Sequence, residues 1–391
     1  MTTRTTRTAA LLGAALLMTL TACGDDADSS AAPAAPAAPV PAGETPVTGP
    51  VAVTASDRSC GLSVQAVFAG PNVLAVTNTG TVATEIYVYG PDDRVVTERP
   101  DIAPGERADV TFEVPVGEYE IACKPGQEGD GIRTALSARE GGTATVTDPE
   151  QEAAVAAYRA YVQGQADALV PLVEEFAATV KAGDVAAAQA LYAPSRVPWE
   201  AIEPVAESFG DLDPAIDLRE ADLEPGQEWT GWHRIEKALW VDGSTDGLDA
   251  VADQLVVDIV DLQGRVATAD LSASSIGNGA KELLDEVATG KITGEEEAFS
   301  HTDLVDVDAN VVGAKKAFEV LTPIVSVNNP ELTATLTREF ADVEAALVPY
   351  QRPGGTYVSY DTVTEPQRQE LARAVDALGE PLSQLAAEAV R

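Results

Sequence analysis

His233 and Glu236 stand three residues apart in Gly231-Trp232-His233-Arg234-Ile235-Glu236. On a helix this spacing puts both side chains on one face, where they could share a metal ion. Taken alone, such a pair is more often a surface ion pair, so its meaning depends on its surroundings. Glu200 and Glu203 repeat the same spacing in Trp199-Glu200-Ala201-Ile202-Glu203-Pro204, and an acidic loop from Phe209 to Asp217 follows. That loop is not an EF-hand, because the ligand spacing and the required glycine are missing. All four tryptophans, Trp199, Trp229, Trp232 and Trp240, fall in the same stretch, which core packing explains in part. An i,i+3 pair of His and Glu, joined by glutamates from facing helices, is a recurring way to hold metal inside a helical bundle. The only histidines are His233 and His301, and no His-Glu-x-x-His occurs. A catalytic zinc with three protein ligands is therefore short of imidazoles.

The elements that must carry these residues begin after Asp148-Pro149. Val155, Tyr158, Val162, Leu169, Leu172, Val173, Phe176 and Val180 recur at helical spacing before Gly183. With that first helix, amphipathic stretches over about 196–209, 229–241, 247–264, 278–289, 304–322, 330–349 and 365–390 make about eight helices and predict bundles, an even number compatible with two four-helix bundles, without an internal repeat. Residues 50–147 read differently. Val51–Thr54, Val64–Phe68, Val73–Val76, Glu85–Tyr89, Ala108–Val114 and Tyr119–Cys123 are short runs of period near two, punctuated by Gly, Pro, Asn or Asp. They predict a β-sandwich. With 391 residues, the chain is long enough for two domains plus export and linker segments.

Residues 1–22 hold Arg4 and Arg7, no acid, and an apolar run from Ala9 to Leu20, the layout of a secretory signal. The run is too short to span a membrane. It ends in Leu20-Thr21-Ala22-Cys23, which resembles a lipobox and implies lipidation of Cys23 and anchoring at the outer face of the cytoplasmic membrane. Residues 23–49, rich in Asp, Ser, Ala and Pro, read as an extended, disordered tether. Hydrophobic residues make up 45% and charged ones 23%, values of a folding globular chain. With 63 acidic groups against 25 basic ones, the charge of -38 repels nucleic acid and gathers cations, although it serves solubility equally well.

Ile102-Ala103-Pro104-Gly105 and Pro115-Val116-Gly117-Glu118-Tyr119-Glu120-Ile121-Ala122-Cys123 are similar to the cupredoxin-like domain that opens EfeO-type proteins. The resemblance implies a copper or ferric site near Cys60 and Cys123, with Glu85 and Glu98 as the acidic partners. A blue-copper centre needs two histidines and a cysteine, and no histidine precedes His233. Ordinary blue-copper electron transfer is excluded. Two readings of the cysteines stay open: a disulfide, favoured by an oxidising compartment and an even count after lipidation, or a thiolate/carboxylate metal site.

The region 149–391 resembles the imelysin family. The resemblance is carried by Ala206–Pro214, Trp229–Lys237, Lys291-Ile292-Thr293-Gly294-Glu295-Glu296 and Ser300-His301-Thr302-Asp303-Leu304. It implies metal ligation by Glu200, Glu203, Asp217, His233 and Glu236, with Glu296 from another helix. Glu295 and Glu297 read as solvated neighbours, and His301 as a residue that caps or positions a helix. Such a donor set suits ferrous or ferric iron, with copper or zinc as lesser alternatives. Clustered carboxylates repel one another without a cation, so metal should stabilise this region and acid should release it. The combined resemblance implies a non-enzymatic iron-uptake component working with a membrane iron permease and a haem peroxidase-like protein. A metallopeptidase-like enzyme and a metal-stabilised polysaccharide-binding or adhesion protein are the rival readings.

Overall fold

Along β1 (Val51–Ser56), Val51, Val53 and Ala55 are buried and the residues between them face outward, as a strand covering one side of a core requires. The structure is a computed structural model that describes residues 46–47, 49–91, 94–127, 129–140 and 148–391, Glu207 by its backbone alone. The predicted signal, Cys23 and all of the predicted tether except residues 46, 47 and 49 lie outside these residues.

The remaining strands of the N-terminal region are β2 (Ser59–Leu62), β3 (Ala66–Phe68), β4 (Gly70–Asn78), β5 (Thr84–Tyr89), β6 (Val95–Ile102), β7 (Arg107–Val114), β8 (Gly117–Pro125) and β9 (Ile132–Arg139). They form a four-stranded sheet in the order β2-β1-β4-β7 and a five-stranded sheet in the order β3-β9-β8-β5-β6. The pairs β1–β4 and β3–β9 are parallel and the rest antiparallel. Val53, Leu74 and Phe112 of one sheet share a core with Ile86, Ile121 and Leu136 of the other. Three strands escape the apolar pattern. β2 is nearly polar, β6 carries Glu98-Arg99-Pro100-Asp101, and β9 alternates weakly; their neighbours in the sheet, not their own periodicity, define them.

Cys60 and Cys123 are joined by a disulfide across this core, with Cα atoms 5.5 Å apart. In the β5–β8 register Ile86 lies opposite Cys123 and Glu85 opposite Lys124, while Tyr87 lies opposite Glu98 on β6. Because successive side chains alternate faces, Glu85 and Glu98 sit on the outer face and the sulfurs on the inner one. The four residues do not converge, which corrects the thiolate/carboxylate alternative.

The C-terminal region is helical: α1 (Pro149–Lys181), α2 (Val185–Glu200), α3 (Glu203–Glu207), α4 (Asp213–Ile216), α5 (Gly231–Lys237), α6 (Asp249–Val266), α7 (Ala273–Glu286), α8 (Asp303–Asn328), α9 (Pro330–Leu347), α10 (Glu365–Leu382) and α11 (Leu385–Ala389). Asp148 caps α1 by accepting from the Glu150 N–H at 2.8 Å, and the buried face Ala154, Tyr158, Val162, Ala166, Leu169 and Val173 follows the helical period. The predicted 196–209 stretch is instead the end of α2, a turn, and α3. The Ala-rich start of α2 hid its periodicity, and Pro204 starts α3 at a position where its missing N–H is harmless. One hydrophobic core runs from Ala154 to Ala389, shared by the helices of this region. Among the described residues no helix is long and apolar enough to cross a membrane.

Candidate metal centre

Gly231 opens α5 with φ +80°, and a Cβ there would fall 2.0 Å from the Ile216 carbonyl oxygen. Only glycine allows that approach without displacing backbone. Alongside it Thr230 Oγ1 donates to the Ala215 carbonyl at 2.8 Å and Trp229 Nε1 to the Leu218 carbonyl at 2.7 Å. These contacts clamp Asp217, just beyond α4, against the first turn of α5, where His233 lies.

His233 is 1% exposed. Its Nδ1 is 3.0 Å from Glu236 Oε2, and the other Glu236 oxygen accepts from the backbone N–H groups of Phe299 at 3.0 Å and Ser300 at 2.7 Å. Burial opposes ionisation of Glu236, but the hydrogen bond from His233 and those two N–H groups outweigh it and hold its carboxyl below the usual range. An ionised carboxylate only accepts, so Nδ1 must carry the proton. His233 Nε2 then faces Asp217 Oδ1 at 3.4 Å and Glu296 Oε1 at 3.6 Å, and has no hydrogen-bond partner among the described residues. The donor atoms of Asp217, His233 and Glu296 lie within 4.8 Å of one another, as do those of His233, Glu236 and Glu297. Against burial, Asp217, Glu236 and Glu296 hold the His233 pKa well above 6.5, so without metal Nε2 carries a second proton between Asp217 and Glu296, and a metal ion there would have to displace it.

Two buried cations organise the remaining carboxylates. Arg196, fully buried on α2, pairs with Glu200 four residues on and with Asp217, and its Nε lies 2.9 Å from Glu297 Oε1 and 3.6 Å from Asp306 Oδ2. Lys291, 1% exposed, places Nζ 2.7 Å from Glu200 Oε2, 3.1 Å from Glu203 Oε2 and 3.3 Å from Glu286 Oε2. Removing one partner of such a buried set leaves uncompensated charge, which costs about 3–5 kcal/mol. Both cations were absent from the sequence-based ligand set. The available signals were the i,i+4 spacing of Arg196 and Glu200, and the rule that buried carboxylates in excess demand buried cations.

The structure thus sorts the six expected ligands into two groups. Asp217, His233, Glu236 and Glu296 come together around the imidazole, whereas Glu200 and Glu203 face Lys291. Glu297, expected to be solvated, is instead fully buried. Asp303 Oδ1 accepts from its backbone N–H at 3.2 Å, and its side chain accepts from Ser300 Oγ at 2.6 Å and from Tyr192 Oη at 3.2 Å. That fold-back of 297–303 turns its side chain inward; burial, with Glu236 next, pushes its pKa up to about 8. Glu295 is exposed, as expected. His301 adopts φ 58°, with its N–H on the Glu297 carbonyl and its own carbonyl accepting from Tyr360 N at 2.9 Å. Its backbone holds the turn before α8, and it belongs to neither donor group.

The tryptophans brace this interior. Trp199 Nε1 donates to Asp217 Oδ2 at 2.8 Å and Trp232 Nε1 to Ser195 Oγ at 3.1 Å, and both rings are fully buried. A cleft of ≈ 220 Å³ leads to the centre, lined by Glu203, Asp213, Asp217, Asp222, Glu286 and Glu296, with Arg219 and Lys291 as its cations. Burial, and after it Asp217 and Glu286, pushes Asp213 up to about 7. An excess of carboxylates over cations along a cleft concentrates metal cations within it.

The imelysin family profile matches residues 154–385. The iron uptake system component EfeO of Escherichia coli O6:H1 (strain CFT073) is 39% identical over 346 residues, covering 86% of this chain and 90% of that protein. The proteins of the same description from Escherichia coli K12 and Shigella flexneri are 38% identical with the same coverage.

Proposed function

The chain belongs to the EfeO-type imelysin family, and from that premise we propose that it is the extracytoplasmic iron-binding component of an iron-uptake system. Iron is the cargo, held between His233 Nε2, Asp217 and Glu296 at the floor of the acidic cleft. The observation that carries this reading is the orphaned, fully enclosed Nε2, flanked by two carboxylates at 3.4 and 3.6 Å. A buried polar atom without a partner is costly, and a metal ion there would satisfy it while balancing the carboxylates. The oxygen-rich donor set fits iron, and the Cys60–Cys123 disulfide removes the soft thiolates that copper or zinc would favour.

In this reading Glu236 orients the imidazole from behind. The same geometry speaks against a peptidase. A general base must be free to take a proton from water, yet both Glu236 oxygens are engaged, one by His233 and the other by two backbone N–H groups. The buried tryptophans, spent on Asp217 and Ser195, do not offer the exposed platforms of a saccharide-binding protein. Residues 1–22 direct export, Cys23 carries the lipid, 23–49 tether the folded part, 50–147 form a cupredoxin-like domain and 149–391 capture the iron. From there iron passes towards a membrane permease, with a haem peroxidase-like partner in the same system.

The test is an iron titration of the full chain beside His233→Ala under fixed redox conditions. Loss of tight binding in the variant, with its thermal unfolding still cooperative, is the expected result; unchanged affinity would remove the site.

A further inference from the structure

Two strands end their sheets on the same side of the sandwich. β6 is the edge of the five-stranded sheet and β7 the edge of the four-stranded one; they adjoin each other, and the helical region covers both, with α7 against β6 and α11 against β7. An uncovered edge presents unpaired backbone groups, and Val96 shows how one of them is met here. Val88 pairs with Thr97 and Tyr89 with Val95, so Val96 is the extra residue of a bulge. Its carbonyl accepts from Asn278 Nδ2 of α7. The surface beneath is firm: a Cβ on Gly277 would fall 2.6 Å from Ala386 Cα, so α7 and α11 meet backbone to backbone.

Asn278, Lys281, Glu282 and Asp285 share one face of α7 by their spacing. Lys281 Nζ lies 4.0 Å from Glu98 Oε1 of β6 and pairs with Asp285 on its own helix. Glu282 answers first to burial and then to Arg94 at the entry to β6, with Glu286, Asp285 and Lys281 as its other charged neighbours and the Tyr158 hydroxyl facing it from α1. Glu113 of β7 faces Asp270, which lies just ahead of α7; burial, and after it this like charge, raises its pKa. Tyr119 of β8 stands near both Arg94 and Asp270. The contact thus sets Glu98, Glu113, Asp270 and Glu282 against Arg94 and Lys281. Carboxylates in surplus repel one another once ionised.

We propose that the β6–β7 edge is a proton-controlled docking surface, seated on α7 and α11 while Glu113 and Glu282 are protonated and released when they ionise. Undocked, both carboxyls regain water and titrate near 4.5; docked, Glu282 keeps its proton up to about pH 7. A group whose pKa is raised in the docked form favours docking in acid and loses that contribution as pH rises through the raised value. The docking equilibrium should therefore weaken by about tenfold or more between pH 5 and pH 8.

The test is a distance measurement between the two regions of the full chain. Val116 and Val348, both exposed, are replaced by cysteine and labelled with nitroxides in a Cys23→Ala background that keeps the Cys60–Cys123 disulfide, and double electron–electron resonance is recorded at pH 5 and pH 8. A single narrow distance at pH 5, joined by longer ones at pH 8, is expected. Glu113→Gln/Glu282→Gln should hold the narrow distance at both values, and Asn278→Ala, which loses the bond to Val96, should separate at lower pH than the wild type. An unchanged distance in the wild type, or a folded double glutamine variant that separates as the wild type does, overturns the proposal. Should the double variant fail to fold, the wild-type change and its displacement in Asn278→Ala decide the matter, and the absence of either overturns it.

Discussion

His233 Nδ1 lies 3.0 Å from Glu236 Oε2, and Glu236 is fixed in turn by the Phe299 and Ser300 N–H groups. One helix thus supplies the imidazole and its support, while the turn after Glu296 locks that support in place. Glu236→Ala should weaken iron binding by about 10–100-fold, the cost of losing an outer hydrogen-bond partner of a metal-bound histidine. His233→Ala should abolish tight binding. Isothermal titration of both variants separates the roles: equal loss in the two would make Glu236 a direct ligand.

How much of this centre the sequence discloses depends on what kind of contact is at stake. His233 and Glu236 are local, three residues apart on one helix, and spacing alone places them on one face. Asp217 and Glu296 are brought in by tertiary contacts, and their place was implied by resemblance; the physical device, Gly231 packed on the Ile216 carbonyl, becomes visible only in the fold. Glu295, Glu296 and Glu297 are indistinguishable as letters. The backbone bond from Glu297 N to Asp303 decides which of them turns inward. Arg196 carried no motif and Lys291 stood in one without a role, yet together they hold Glu200, Glu203, Asp217, Glu286, Glu297 and Asp306. In the β region, strands with strong alternation were legible, whereas β2, β6 and β9 exist because neighbours pair with them.

The Cys60–Cys123 disulfide bridges residues 63 positions apart in the β region. Closing a loop of that length restricts the unfolded chain by about 4 kcal/mol in the entropy account, and removal of such bonds typically costs about 2–5 kcal/mol. Cys60→Ser/Cys123→Ser should therefore lower the unfolding midpoint of the β region, followed by hydrogen exchange because all four tryptophans lie in the helical region. Metal stoichiometry should not change. A variant that loses one equivalent of iron would place metal at the cysteines.

Glu282 on α7 provides a pH test remote from the imidazole. Burial is the main influence on its carboxyl, opposed by Arg94 and reinforced by Glu286 and Asp285, and its pKa is pushed up from 4.5 to about 7. Between these values the folded chain binds a proton that the unfolded chain has released, so stability falls as pH rises through this window. The contribution is fully present below about pH 4.5 and lost above about pH 7. Glu282→Gln keeps the shape and stays neutral. Relative to wild type it should therefore gain stability between pH 5 and pH 8, by about 1–3 kcal/mol after allowing for solvent near the side chain. Urea unfolding of both proteins across that range measures the difference; a gap that does not change with pH would mean that Glu282 ionises like an ordinary surface carboxylate.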